Sequence, residues 1–143
     1  MQIRWIVALA ILVASTVANA AEVRIVANGV KSGDGKLLVD LYGTEAKYKA
    51  NVGNAGGDYR IDVPAGNGSV TAVIANVPAG KYGATVVHDE NASGKLETNF
   101  LGMPSEGVGA SNDATGSFGP PSFGDMVFDV ADPVTTITIN LSY

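Results

Sequence analysis

From residue 22 to residue 143 the apolar positions recur mainly at every second residue. In "EVRIVANGV" Val23, Ile25 and Ala27 alternate with Glu22, Arg24 and Val26. "GKLLVDLYG" carries Leu37, Val39 and Leu41 at the same spacing, and "DYRIDVPAG" sets Tyr59, Ile61 and Val63 against Arg60 and Asp62. "SVTAVIANV", "GKYGATVVHDE", "GDMVFDVAD" and "TTITINLSY" continue the pattern. Successive side chains of a strand point to opposite faces, so period two predicts half-buried strands. The segments are short, rich in Val, Ile, Thr and aromatics, and bounded by Gly, Pro, Asn or Asp.

About seven strands follow from this pattern. "KSGDG" and "VPAGKY" read as turns. A short helix is predicted over "TEAKYKANV", Thr44 to Val52, between Gly43 and Gly53. Short strands in one domain without cysteines predict an all-β fold: a single antiparallel Greek-key β-sandwich, immunoglobulin-like in architecture. From Thr98 to Gly124 the sequence has no strand or helix pattern. A loop of that length in a compact domain is usually functional or disordered. Phe100, Leu101, Met103, Phe118 and Phe123 argue against disorder, so one long loop pinned by its own aromatics is expected.

The first residues, "MQIRWIVALAILVASTVANAAEV", read as a secretory signal peptide. Arg4 supplies the positive region, Trp5 to Ala14 the apolar core, and Ala18-Asn19-Ala20 the small-x-small site. The apolar run falls short of the roughly 20 residues that span a bilayer. Cleavage after Ala20 would leave residues 21–143 as one β-sandwich domain, exported to the periplasm or beyond the cell, with no membrane span.

The chain has nine Lys/Arg, fourteen Asp/Glu and a net charge of −5, and removal of Arg4 takes it to −6. An acidic chain without a basic cluster is a poor partner for nucleic acid and a better one for cations. The absence of cysteine excludes a disulfide framework, thiolate zinc and thiol catalysis.

The candidate chemistry lies in "HDENASGKLETN", His88 to Asn99. Calcium takes six to eight hard oxygen ligands from a loop whose alternate residues point inward, with glycine at the sixth position. Counting from Asp89, the side chains of Asp89, Asn91 and Ser93, the Lys95 carbonyl and the Glu97 carboxylate fall at alternate positions, with Gly94 sixth. The twelfth position, where a bidentate glutamate would stand, is Phe100. Asn99, Glu106 or water would have to complete such a site. The same residues also make an ordinary polar turn. A different chemistry is a hydrolase using the sole histidine, His88, with Asp89 or Glu106 and a serine such as Ser105, Ser111 or Ser122. No Gly-x-Ser-x-Gly elbow identifies that serine.

"VPAGKYGATVVHDENASGKLETNFLGMPSEGVGASNDATGSFGPPSFGDMVFDV" resembles the core of the bacterial family known as domain of unknown function 2141. The shared positions are Pro78, Gly80 and Tyr82; His88 to Asn91; Gly94 to Asn99; Gly102, Pro104, Glu106, Gly107, Gly109, Ser111 and Asn112; and Pro121 with Phe123. Glu97 stands where the family pattern has Asp, and Ala110 where an aromatic is usual. The resemblance implies an exported protein. The Pro-x-Gly-x-Tyr turn is also similar, at fold level, to prealbumin-like sandwiches of bacterial surface repeats, some with calcium loops. The expectation is therefore an exported binding or structural module. Calcium at 89–97 would order the 98–124 loop for contact with an envelope protein or a glycan.

Overall fold

A computed structural model describes residues 20–51 and 56–143. The signal peptide expected over residues 1–20 lies outside the described residues up to residue 19. Ala20 opens the first strand.

Among the described residues eight strands form two sheets: β1 (Ala20–Val30), β2 (Lys36–Tyr42), β3 (Tyr59–Pro64), β4 (Gly68–Pro78), β5 (Gly80–Asp89), β6 (Gly107–Ala110), β7 (Phe128–Val130) and β8 (Val134–Asn140). Helix α1 (Glu45–Asn51) falls inside the predicted Thr44–Val52 segment, and a one-turn helix α2 (Phe123–Met126) precedes β7. One sheet has the order β4-β1-β8 and the other β3-β2-β5-β6, with β7 on the first residues of β5. The fold is all-β and sandwich-like, as expected.

Period two holds where one face is buried. Ala21, Val23, Ile25 and Ala27 of β1 meet Leu37, Val39 and Leu41 of β2, Ala84 and Val86 of β5, and Ile139 of β8 in a single core. In β4 the alternation passes from Ala72 and Ile74 to Val77 through a bulge at Asn76, whose φ is +59°. An extra residue on one strand resets the faces, so Val77 still points inward. Tyr82 caps the core and donates its hydroxyl to the Pro78 carbonyl at 2.8 Å, closing the Pro78–Tyr82 turn.

Three features depart from the sequence expectations. First, β1 and β8 run parallel, Glu22 opposite Val134 through Asn28 opposite Asn140. A parallel pair requires a crossover between its strands, and here the rest of the domain provides it. Second, the 98–124 segment contains β6 and a 3-10 turn (Ser111–Asp113). Third, "GDMVFDVAD" is the end of α2 followed by the three-residue β7 rather than one long strand.

The outer face of the five-stranded sheet has its own core. Leu38, Asp40 and Tyr42 of β2 are buried there, and Tyr42 meets Tyr48 of α1 edge-on at 5.3 Å. Met126 and Ala110 complete the cluster, with Phe123 packed against it. A Cβ on Gly83 of β5 would lie 3.0 Å from the Phe123 ring, so glycine lets α2 sit directly on the strand. Beyond Gly83 the partner of β5 changes from β7 to β6. The Ala84 N–H in that gap donates to Ser111 Oγ at 2.9 Å.

Candidate functional site

β5 delivers His88 and Asp89 to opposite faces of its sheet, because adjacent strand residues alternate. His88 faces the core side and is fully buried. Its Nε2 lies 2.8 Å from the Asp34 carbonyl and its Nδ1 2.7 Å from the Tyr143 hydroxyl. A carbonyl only accepts, so Nε2 carries the proton and Nδ1 accepts from Tyr143 in the neutral ring. The Lys31 N–H in turn donates to the Tyr143 oxygen at 3.0 Å. Both ring nitrogens are thus engaged in joining the 31–35 turn to residue 143. Neither the Asp89 nor the Glu106 carboxylate is among the ring's hydrogen-bond partners.

Asp89 faces outward from the sheet yet is fully buried beneath the loop that follows it. Its Oδ1 accepts the Ser93 N–H at 2.9 Å and its Oδ2 the Gly94 N–H at 2.7 Å. Asn91 Oδ1 also accepts from the Ser93 N–H, while Asn91 Nδ2 donates to Glu97 Oε1 at 2.7 Å. Ser93 Oγ stands 3.2 Å from Asp89 Oδ1 and 3.1 Å from the Lys95 carbonyl, able to donate to one at a time. Gly94 has φ +86°, a conformation that favours glycine, and it reverses the chain. All five predicted oxygen donors are therefore linked by hydrogen bonds within one curled loop.

Glu106 closes the base of that loop. Its Oε2 accepts the Glu90 N–H at 3.0 Å and its Oε1 the Glu97 N–H at 2.9 Å. Burial raises its pKa above the usual carboxylate value, the two N–H bonds oppose this, and the nearby Asp89 and Glu97 charges raise it further. Among the described residues no group of three or more His, Cys, Asp or Glu side chains is placed to hold a metal. A cation here would rely on amide, hydroxyl and carbonyl oxygens beside Asp89 and Glu97, a hard-donor set that fits calcium better than zinc.

Beyond Glu97 the chain makes a small hairpin. The Ser105 N–H donates to the Glu97 carbonyl at 2.9 Å and the Asn99 N–H to the Met103 carbonyl at 2.8 Å. Asn99 Oδ1 accepts the Leu101 and Met103 N–H groups, fixing the tip from inside. The turn leaves Phe100, Leu101 and Met103 exposed, at 96%, 71% and 56%. Phe118 is fully exposed as well. The loop aromatics therefore divide: Phe123 packs inward as expected, whereas Phe100 and Phe118 do not.

Three contributors lie outside the His88–Asn99 stretch. Arg60 of β3 reaches Asp62 at 2.9 Å and the Gly94 carbonyl at 3.4 Å, anchoring the loop from two strands away. Its second terminal nitrogen is buried without a hydrogen bond, 4.0 Å from Asp40. Burial raises the Asp40 pKa, against the Gly57 N–H and the Arg60 charge. Tyr143 is the second contributor. The third is the run Ser111-Asn112-Asp113, where the sequence singles out Ser111 and Asn112 but not their structural role. Ser111 bonds β5 to α2, Asn112 Nδ2 donates to the Asp125 and Val127 carbonyls, and Asp113 accepts the Asn140 N–H of β8. Asn112 and Asp113 both have positive φ, which Asn and Asp tolerate better than most residues.

The sequence model of the family described as "Uncharacterized protein conserved in bacteria (DUF2141)" matches residues 25–138. The chain belongs to the DUF2141 family. No curated protein and no solved structure matches it. Of the DUF2141 positions singled out in the sequence, His88, Asp89, Glu106, Ser111 and Asn112 all hold backbone groups of neighbouring segments. Gly107 and Gly109 lie under the Tyr143 ring and the Ile139 side chain, where a Cβ would collide.

Proposed function

We propose that this DUF2141 domain is an exported, non-catalytic binding module. Its 98–124 segment contacts an envelope protein or a glycan, and calcium bound within residues 89–97 stiffens the base of that segment. The observation that carries the reading is the curled loop of Asp89, Asn91, Ser93, Lys95 and Glu97, joined directly to a hydrogen-bonded hairpin with an exposed apolar tip. The hard-oxygen character of these donors supports it, because calcium takes carboxylate, amide, hydroxyl and carbonyl oxygens. The engagement of both His88 nitrogens favours binding over hydrolysis, since a general base needs a free nitrogen facing its nucleophile.

Thermal unfolding in EDTA and in millimolar calcium, with Asp89→Ala alongside, tests the proposal. Extracellular calcium modules bind at about 10⁻⁴–10⁻³ M. At about 1 mM ion and a dissociation constant of roughly 0.1 mM, linkage adds about 1.4 kcal/mol. A calcium-dependent rise in Tm that Asp89→Ala abolishes is expected. Superimposable curves would remove calcium and return the loop to a self-satisfied polar turn.

A further inference from the structure

A cleft of about 500 Å³ opens between α1 and the segment leading into α2. Cavities of this size suit a small ligand or one or two rings of a polymer. Its far wall is Pro120, Pro121 and Phe123. Its near wall is α1, with the Tyr48 ring 6.0 Å from that of Phe123. The Tyr48 hydroxyl donates to the Pro121 carbonyl at 3.0 Å, which ties the walls together. Phe123 is held from behind by Gly83 and Met126, so the cleft is backed by the sheet.

The polar groups at its mouth narrow the ligand class. Glu45 and Lys49 lie one helical turn apart and pair at 2.8 Å while remaining mostly exposed. Together they offer acceptors and donors with no net charge, a rim that favours neither an anion nor a cation. Ser122 adds a hydroxyl that does not cap α2. A ligand suited to this cleft needs one apolar face for the Phe123 and proline surfaces and a periphery of neutral hydroxyl or amide groups. A pyranose ring has that form: its axial C–H bonds meet an aromatic face, whose quadrupole is negative, and its hydroxyls point outward.

We infer that the cleft between α1 and Pro120–Phe123 is a binding subsite for a neutral oligosaccharide. The ring lies over Phe123, and Glu45, Lys49 and Ser122 hydrogen-bond its hydroxyls. This deepens the binding-module reading and rests on it, because Pro120–Phe123 belong to the segment assigned there to contact a partner. It is independent of the calcium loop, which lies at the other end of β5.

Amide chemical shifts of the purified protein, titrated in parallel with chitotetraose, cellotetraose and maltotetraose, test it. Saturable shifts at residues 45–49 and 122–124 for at least one of these sugars are expected. Phe123→Ala should weaken that binding about tenfold or more. Phe123 also packs against the outer core, so the exposed pair Glu45→Gln with Lys49→Met provides a second reading, several-fold weaker binding with Tm unchanged. The inference is overturned if no sugar gives saturable shifts, if the shifts fall only on the 97–105 hairpin, or if both variants bind like the parent. In each case the calcium-dependent Tm is read separately, so loss of the sugar site leaves the calcium reading standing or falling on its own result.

Discussion

The Tyr143 hydroxyl lies 2.7 Å from Nδ1 of His88, joining positions 55 residues apart in the chain. Tyr143 also stacks under Lys31, whose ammonium is 4.8 Å from the ring centroid, and takes the Lys31 N–H on its hydroxyl oxygen. His88 is wholly buried, so removing the hydroxyl leaves an imidazole nitrogen without a partner. An unsatisfied buried polar atom costs about 1–3 kcal/mol. Tyr143→Phe should lower stability by that amount in urea unfolding, without changing the slope. A loss below a few tenths of a kcal/mol would mean that water replaces the hydroxyl and that the link is not structural.

Gly109 of β6 faces the end of β8, where a Cβ would lie 2.6 Å from Ile139 Cγ2 and 2.8 Å from the Asn140 carbonyl oxygen. Val108 and Ser142 exchange backbone hydrogen bonds at the same level, closing one edge of the two sheets. A methyl there forces the edges apart. Gly109→Ala should cost about 1–3 kcal/mol, the usual range for overpacking. Hydrogen exchange should rise selectively at the Val108 and Ser142 amides. Unchanged exchange at those amides would show that the edge relaxes without opening.

Why β1, β3 and β8 were legible and β6 was not follows from the same geometry. A strand with one buried face advertises itself through alternation, as Val23, Ile25 and Ala27 do. β6 is "GVGA", and its inward positions must be glycine because Tyr143 and Ile139 occupy the space. A strand without inward side chains has no hydrophobic pattern to read. α2 was hidden for a different reason. Phe123 and Met126 serve the outer core rather than the inner one, so "GDMVFDVAD" mixes two faces in one apolar run.

The site divides along similar lines. Asp89, Asn91, Ser93, Gly94, Lys95 and Glu97 bond to one another within nine residues, and local spacing carries that information. Glu106, Arg60 and Tyr143 reach the site through tertiary folding. Glu106 was visible as a carboxylate, but its role as acceptor for the Glu90 and Glu97 N–H groups was not. His88 and Asp89, adjacent in β5, lie on opposite faces of the sheet, which weighs against the two acting on one substrate.

Glu106 makes stability depend on pH in a defined direction. Burial, together with the Asp89 and Glu97 charges, raises its folded pKa above the ordinary glutamate value. The folded state therefore holds this proton more tightly than the unfolded chain. Its contribution is fully present below about pH 4.5 and is lost as pH rises through the raised folded value. Glu106→Gln removes the titration. The difference in unfolding free energy between parent and variant should drift in the variant's favour as pH rises across that window. The variant has only one oxygen for two N–H donors, so its absolute stability can be lower throughout, and the slope is the readout. Parallel pH profiles would show that the carboxylate titrates alike in both states.

Phe100 and Leu101 form the exposed tip of a hairpin whose turn is fixed by Asn99 rather than by their own packing. Apolar side chains held outward by backbone geometry contribute little to the fold and much to any surface they touch. Phe100→Ser with Leu101→Ser should leave the unfolding free energy within about 0.5 kcal/mol, as for other surface changes. The same pair should reduce retention of the protein on a phenyl-agarose column. If the tip instead docks on the parent domain in solution, the double variant will melt several degrees lower and its amides at 97–105 will exchange faster. That outcome would transfer the tip from the contact surface to the core.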